Sequence, residues 1–194
     1  MNIKNCKPCY PISFLVIIVL MSLLQSCRKD ENGLVSQPTD KYQAKIAQIW
    51  MQETYNSVKS QGMFALDASR LYAYVAITMH ESMVHGIQNG KSLAGQLHGL
   101  SELPLPDKNK IYDWGIVLCQ ATPQVLKSTL PGIKPEIVQR INNLSTEQEK
   151  SMEATNDISS EVMKNSKEYA IELSDAIIAW SKTDNREGME NLVY

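Results

Sequence analysis

The chain has 194 residues and nearly balanced charge, with 19 basic and 21 acidic side chains and a formal net charge of -2 at pH 7. This balance argues against nucleic-acid binding, because proteins that bind nucleic acids carry a basic face that neutralises phosphates. The length is sufficient for one domain with a hydrophobic core of its own.

Residues 1–26 have the pattern of a signal peptide. Lys4 and Lys7 precede an uncharged apolar run, Ile12–Leu24, which is shorter than the ~20 residues that a membrane-spanning helix needs. The next residues, Leu24-Gln25-Ser26-Cys27, resemble the lipobox of bacterial lipoproteins. We therefore expect cleavage before Cys27, acylation of Cys27 and attachment to the membrane through that lipid. The alternative is an ordinary signal peptide followed by a chance cysteine.

Residues 27–40 are predicted to form a flexible tether. Within it, Arg28–Glu31 resembles the short charged signal that sends some Gram-negative lipoproteins to the cell surface, although a solvated tether would also carry such charges. The expected location is the outer membrane or cell surface of a Gram-negative bacterium. Cleavage would remove two of the 19 basic residues, leaving 17 against 21 acidic ones and a net charge of -4.

Cleavage would also reduce the number of cysteines from four to two. Cys6 and Cys9 form a thioredoxin-like C-x-x-C motif, but they lie in the segment that we expect to be removed. Cys119 would then be the one cysteine besides Cys27. Its apolar neighbours predict a small core residue rather than a reactive thiol.

Residues 41–184 are predicted to form an all-α helical bundle, followed by a C-terminal tail over 185–194. Hydrophobic spacing of three and four residues indicates five helices. They are expected over Tyr42–Lys59, Asp67–His85, Tyr112–Leu126, Pro135 to about Met152, and Asp157–Lys182.

Individual residues predict where these helices begin, end and bend. Asp67 is a plausible N-cap, Gly62 is expected to end the first helix, and Gly86 is expected at the C′ position of the second. Pro123 should kink or break the third helix, because proline lacks the backbone N–H. The spacing of Tyr169, Leu173 and Trp180 predicts a seam on the last helix, with Trp180 as a core anchor.

The segment Gly86–Asp107 is predicted to be a long loop, rich in glycine and proline. A loop of this length inside a compact domain is usually functional or wraps the surface.

Two motifs nearly match known sites. His80-Glu81-Ser82-Met83-Val84-His85 resembles a zinc-protease helix, but histidines five positions apart lie about 140° apart around a helix, so we expect no metal site. Gly86–Ser92 resembles a phosphate-binding loop, but it has three residues between its glycines instead of four and follows a helix instead of a strand. We therefore expect no nucleotide site there.

Several segments together resemble the vanadium-dependent haloperoxidase and type 2 phosphatidic acid phosphatase superfamily. The run Ser92–Leu100 is the most specific of them. The resemblance is carried by Asp67–Tyr74, Met79–Ser82, Lys91–Leu100, Tyr112–Trp114, Ser166, Tyr169, Ala176-Ile177 and Trp180–Asp184. It implies the N-terminal helical half of a haloperoxidase-like fold.

In that family, a lysine, two arginines and backbone N–H groups hold vanadate or a substrate phosphate, and a histidine bonds to vanadium or attacks phosphorus. The family motifs resemble K-x6-R-P, P-S-G-H and S-R-x5-H. None occurs in these 194 residues, since Ser69-Arg70 is followed by His80 after nine residues rather than five. We therefore assign no catalytic, metal or cofactor-binding residue, and expect vanadate only in a complete haloperoxidase family member.

The resemblance leads to two functional hypotheses. The first is a lipid-anchored superfamily member truncated before the oxyanion-binding motifs and inactive alone, whose parent would be a phosphatase or a haloperoxidase. Its partner would be the missing catalytic half, or a second copy of itself, because such a half would leave apolar helix faces uncovered. The second is a non-enzymatic helical surface lipoprotein, a binding or scaffold module that uses the Gly86–Asp107 loop.

Overall fold

The computed structural model describes residues 36–184, which lie within one unit, Leu34–Tyr194. Five helices form the fold over these residues: α1 Lys45–Gln61, α2 Ala65–Val84, α3 Trp114–Thr129, α4 Pro135–Asn156 and α5 Ser160–Ser181. Short 3-10 turns lie at Thr39–Lys41 and Lys182–Asp184. The described residues contain no strand, only an isolated bridge between Leu97 and Leu100. The predicted all-α bundle is confirmed.

The predicted signal peptide, the lipidation site Cys27, most of the predicted tether and the tail 185–194 lie outside the described residues.

Helix α3 is the centre of the bundle, and it packs against α2, α4 and α5. It has no charged residue before Lys127, and an unbroken buried stretch covers Tyr112–Cys119. A helix that is apolar on all sides is stable only when neighbours surround it. Asp113 caps its N-terminus by accepting a hydrogen bond of 2.9 Å from the Ile116 N–H. The Asp113 N–H in turn donates to Ser166 Oγ on α5, at 2.9 Å.

The core has two hydrophobic clusters, and α3 contributes residues to both. One is aromatic and joins α2, α3 and α5 through Tyr74, Tyr112, Trp114, Val117, Tyr169 and Leu173. The other is mainly aliphatic and joins α1, α2, α3 and α4 through Trp50, Leu71, Leu118, Leu126, Ile137 and Ile141. Each fully buried large side chain contributes roughly 1.5–3 kcal/mol relative to exposure, so these clusters provide most of the favourable free energy of folding.

Pro123 lies inside α3, yet the helix continues over Trp114–Thr129. The predicted break was therefore wrong. A proline deprives the carbonyl four residues earlier of its helical donor, and that carbonyl belongs to Cys119. The hydroxyl of Ser145 on α4 donates to the Cys119 carbonyl at 3.3 Å and replaces the missing bond.

The helix starts differ from those predicted, because backbone geometry and tertiary contacts set them. Tyr42 is extended after the 3-10 turn, so α1 begins at Lys45. Phe64 is the N-cap of α2, which places Asp67 in the first turn, where a carboxylate is favoured by the helix dipole. Ser159, rather than Asp157, caps α5 by accepting from the Val162 N–H at 3.3 Å.

The helix ends also differ. Helix α3 continues past Leu126 to Thr129, and α4 continues past Met152 to Asn156, where Asp157 adopts a left-handed conformation at φ 47°. The prediction that Gly62 ends α1 is confirmed, with φ at 71°.

Gly86 follows the C-cap of α2 as predicted, but for a different physical reason. Its φ is not in the left-handed region that a glycine at C′ usually supplies. Instead, a Cβ at this position would lie 2.3 Å from Thr39 Oγ1 and 2.4 Å from Trp114 Cδ1. Glycine is required here because three segments of the chain meet at this point.

Candidate functional site

The loop after α2 is fixed first by a buried carboxylate. Glu81 is only 1% exposed, and its Oε1 accepts a hydrogen bond of 2.6 Å from the Leu93 N–H. The neighbouring His80 forms a 3.0 Å hydrogen bond from Nε2 to the Lys91 carbonyl, so Nε2 must carry a proton. Two adjacent residues of one helix therefore hold the beginning of the run Ser92–Leu100.

The same run is fixed at its other end by α5. The Trp180 indole N–H donates to the His98 carbonyl at 3.1 Å, and the Gly95 N–H donates to the Leu100 carbonyl at 2.7 Å. Gly99 adopts φ 74°, a conformation that favours glycine, and its α-carbon faces the Trp180 ring. The prediction of Trp180 as an anchor is confirmed, although its ring is only partly buried.

The last part of the loop is held by two tyrosines. The Tyr169 hydroxyl donates to the Pro104 carbonyl at 3.1 Å, and the Asp107 N–H donates to the Tyr112 hydroxyl oxygen at 3.0 Å. Burial, and secondarily the negative charge of Glu81, raise the pKa of Tyr169 above its ordinary value. Tyr169 therefore remains a neutral donor at physiological pH.

A cleft of about 1140 Å³ lies where the two ends of this loop meet the segment that precedes α1. Residues from the start and from the end of the loop both line the cleft. The lining includes Thr39, His85, Ile87, Leu105, Lys108 and Trp114.

The segment before α1 is docked onto the end of α2. The Thr39 N–H donates to the Gly86 carbonyl at 2.8 Å, and its hydroxyl donates to the Met83 carbonyl at 2.7 Å. Carbonyls at a helix C-terminus lack partners within the helix, and Thr39 supplies them. Ser36 is also held, since its Oγ accepts from the Tyr112 N–H at 2.9 Å. Residues 36–40 of the predicted tether thus form one side of the cleft.

His85 lines the cleft, has an exposed side chain and lies beside aromatic rings. Its ring centroid lies 6.2 Å from that of Trp114 and 6.3 Å from that of Tyr169. Partial burial lowers the pKa of His85 below its ordinary value, and the negative charge of Glu81 opposes part of this effect. The imidazole is therefore neutral at pH 7, with one nitrogen able to donate a hydrogen bond and the other able to accept one.

The rim of the cleft carries both charges and exposed apolar side chains. Lys108 and Lys110 provide positive charge, and Lys110 Nζ lies 3.5 Å from Glu168 Oε2 in an exposed ion pair. Asp40 and Asp107 also line the cleft. Ile87 is 45% exposed and Leu105 is 75% exposed. This combination offers apolar contact and hydrogen bonding to a bound surface or molecule.

The two histidines of the near-zinc motif point into different surroundings. His80 bonds to the loop backbone, whereas His85 lines the cleft beside the Trp114 ring. Among residues 36–184, no group of three or more His, Cys, Asp or Glu side chains is arranged to hold a metal ion. Cys119 is buried, as predicted, and burial raises the pKa of its thiol to about 12. No helix in the described part of the chain is long and apolar enough to cross a membrane.

Comparison with solved structures gives a match that bears on the fold. No protein-family model matches the chain, and no curated protein matches it. A solved structure described as the first bacterial vanadium-dependent iodoperoxidase matches with a TM-score of 0.65 and 22% sequence identity. The match covers 77% of this chain and 34% of the iodoperoxidase.

The chain has a haloperoxidase-like helical fold. This agrees with the fold implied by the sequence resemblance, and at 22% identity the likeness concerns the fold alone. The chain spans about a third of the length of the iodoperoxidase.

Sequence reasoning predicted that the Gly86–Asp107 loop would be functional or wrap the surface, and both of its ends line the cleft. It did not identify the cleft itself. Ser36 and Tyr112 are 76 positions apart, and nothing in the local pattern indicates that they meet. The local sequence signal for the cleft was Gly86. It directly follows the predicted helix Asp67–His85, where a glycine is equally typical of an ordinary helix C-terminus.

Proposed function

We propose that these residues form the helical scaffold portion of a lipid-anchored haloperoxidase-like protein, and that they have no haloperoxidase or phosphatase activity of their own. The observation that carries the proposal is the fold match over 77% of the chain, together with a sequence that contains neither Arg-Pro nor Ser-Gly-His. The oxyanion-binding groups would then belong to polypeptide outside these 194 residues.

The activity part is tested on the purified chain. Oxidation of iodide and bromide by hydrogen peroxide is measured with and without added orthovanadate, and hydrolysis of p-nitrophenyl phosphate is measured in parallel. A complete vanadium iodoperoxidase serves as the positive control. We expect no turnover above the protein-free rate, because the fixed donors that stabilise negative charge on an oxyanion are missing. Vanadate-dependent turnover by the purified chain would contradict the proposal.

The scaffold part predicts a second polypeptide segment. If these residues come from a longer or interrupted gene, the DNA that follows codon 194 should encode Arg-Pro and Ser-Gly-His motifs. Co-expression of that segment with this chain should restore vanadate-dependent activity. Unrelated downstream sequence would instead favour a stand-alone module.

The lipid anchor is tested by metabolic labelling with radioactive palmitate in a Gram-negative host. The label should be incorporated into the intact protein and lost in Cys27→Ser. Cys119→Ala is the matched control, because Cys119 is buried in the core and should not affect labelling. Equal labelling of Cys27→Ser and the intact protein would rule out acylation at this residue.

A second candidate function is a non-enzymatic binding module that uses the cleft. The observation that favours it is the volume of about 1140 Å³ beside a neutral histidine and two exposed aliphatic side chains. Ligand pockets typically combine such apolar lining with a few polar groups. A library of small organic fragments, screened by ligand-observed NMR, should bind the intact chain and bind less to Leu105→Asp. Binding that is unaffected by this substitution would argue against the cleft as the site.

A further inference from the structure

We propose that one side of the cleft rests on an anionic phospholipid surface and sets the orientation of the protein on the membrane. We define this membrane-facing rim as Ile87, Leu105, Lys108 and Lys110. The proposal rests on the lipid anchor proposed above for Cys27. The anchor supplies attachment, and the rim supplies orientation.

The tether reaches the folded domain beside the cleft. Ser36 follows Cys27 by nine positions. At about 3.3–3.6 Å per residue, even a fully extended connection spans only about 30 Å. Ser36 is hydrogen-bonded to the backbone of Tyr112 beside the cleft. An acylated Cys27 would therefore keep the cleft within about 30 Å of the bilayer surface.

The cleft also exposes apolar surface at that point. Leu105 is 75% exposed and Ile87 is 45% exposed, and both side chains line the cleft. Single exposed hydrophobic residues are common on protein surfaces. Two of them lining the cleft at which the tether arrives form a site that can enter the boundary between lipid headgroups and acyl chains.

The charge of the cleft lining also favours this side. Lys108 and Lys110 line the cleft together with Asp40 and Asp107, so the formal charges of the lining cancel, whereas the chain from Cys27 onward has a net charge of -4. An anionic surface therefore repels this side less than the rest of the protein, and the two lysines can contact lipid phosphates. The ion pair between Lys110 and Glu168 is exposed, so it competes only weakly with lipid phosphates.

The opposite end of α2 offers a built-in comparison. Phe64 is 83% exposed and Leu66 is 62% exposed, so they are as apolar and accessible as the rim. Helix α2 has 20 residues, which places its two ends about 30 Å apart. The rim proposal requires Leu105 to meet lipid and Phe64 to remain in water.

The test uses the complete lipidated chain reconstituted into vesicles of phosphatidylethanolamine and phosphatidylglycerol. Nitroxide labels are placed at Leu105→Cys and, as the matched control, at Phe64→Cys. Native Cys119 is buried and should not react. Spin-relaxation measurements compare access to oxygen, which concentrates in lipid, with access to a water-soluble nickel complex. We expect lipid-type access at position 105 and water-type access at position 64. Water-type access at 105, or lipid-type access at 64, would overturn the proposal.

The charge contribution is tested with Lys108→Ala combined with Lys110→Ala. The control combines Lys59→Ala with Lys150→Ala, two exposed lysines that do not line the cleft. Each basic residue near an anionic membrane contributes about 1 kcal/mol, so losing two should lower the docked-to-undocked ratio about 30-fold. The control pair should leave the ratio unchanged. An equal effect of both pairs would contradict a local role of the rim.

Palmitate labelling of the same samples separates the two proposals. Labelled protein with water-type access at position 105 would refute the rim and leave the lipid anchor standing. Absence of label at Cys27 would refute the anchor and the rim together. Labelled protein with lipid-type access only at position 105 supports both.

Discussion

Substitution of Glu81 by alanine should release the loop that follows α2. The structure supplies two contributions to the destabilisation. The carboxylate accepts a 2.6 Å hydrogen bond from the partly buried Leu93 N–H, and a hydrogen bond to a charged group contributes about 1.5–3 kcal/mol. The substitution also removes one buried methylene, Cγ, at ~0.8 kcal/mol, because alanine keeps Cβ. Removing a buried charge relieves a desolvation cost that offsets part of this loss. We therefore expect the free energy of unfolding to fall by about 2 kcal/mol.

The assay is urea unfolding monitored by tryptophan fluorescence, combined with amide hydrogen exchange at Leu93. Glu81→Gln is the isosteric control, because its amide oxygen can still accept from Leu93, and it should cost about 1 kcal/mol. Glu168→Ala is the surface control and should cost less than about 1 kcal/mol, because Glu168 pairs with Lys110 and Lys164 in exposed ion pairs. Unchanged protection of the Leu93 amide in Glu81→Ala would refute the assignment of Glu81 as the residue that holds the loop.

Three further predictions concern the cleft and the core. Gly86→Ala should destabilise the fold by about 1–3 kcal/mol through overpacking against Thr39 and Trp114, and it should increase amide exchange at Thr39. The control Gly95→Ala strains the backbone at φ 74° but meets no atom nearer than 4.0 Å, so it should cost about 1 kcal/mol and leave Thr39 protected. Ser145→Ala should lower the free energy of unfolding in urea by about 1 kcal/mol, because it leaves the Cys119 carbonyl without a donor. Thr146→Ala, on the exposed face of the same helix, should have a smaller effect, and equal effects would contradict the role of Ser145 in replacing the hydrogen bond that Pro123 cannot donate. The pKa of His85 is lowered in the folded state, so the unfolded state binds the proton first as the pH falls below about 6.5, and the stability contributed by neutral His85 is complete above that pH and declines below it. His85→Asn should therefore lose less stability on acidification, and parallel pH profiles of the two proteins would contradict this.

The order and number of helices followed from the sequence because hydrophobic spacing is a local property. The helix predicted over Tyr112–Leu126 is α3, whose apolar residues recur without a charge before Lys127. The exact starts of α1 and α2 could not be read in the same way. They depend on the 3-10 turn at Thr39–Lys41 and on the extended conformation of Phe64, and both positions lack a strong capping side chain. Pro123 was misjudged because the group that compensates for it, Ser145, belongs to another helix.

The cleft was beyond sequence reasoning for a similar reason. Its walls come from residues 36–40, from both ends of a long loop and from the start of α3. The contacts that assemble them, such as Ser36 with Tyr112, join positions that share no periodic pattern. The predicted acylation of Cys27, in contrast, depends on a short local motif that can be read directly from the sequence. Cys27 lies outside the described residues, so acylation stays a prediction.

The structure also gives a physical reason for the resemblance to haloperoxidase-like proteins in the absence of their oxyanion motifs. The segments that carry the resemblance are far apart in sequence, yet several of them meet around one loop. His80 and Glu81 hold the start of the run Ser92–Leu100, and Trp180 holds its end. All of these contacts serve to shape the loop and join it to α2 and α5, and none requires a bound anion. A chain can therefore retain this part of the fold, and the residues that build it, whether or not catalytic groups are supplied by another segment.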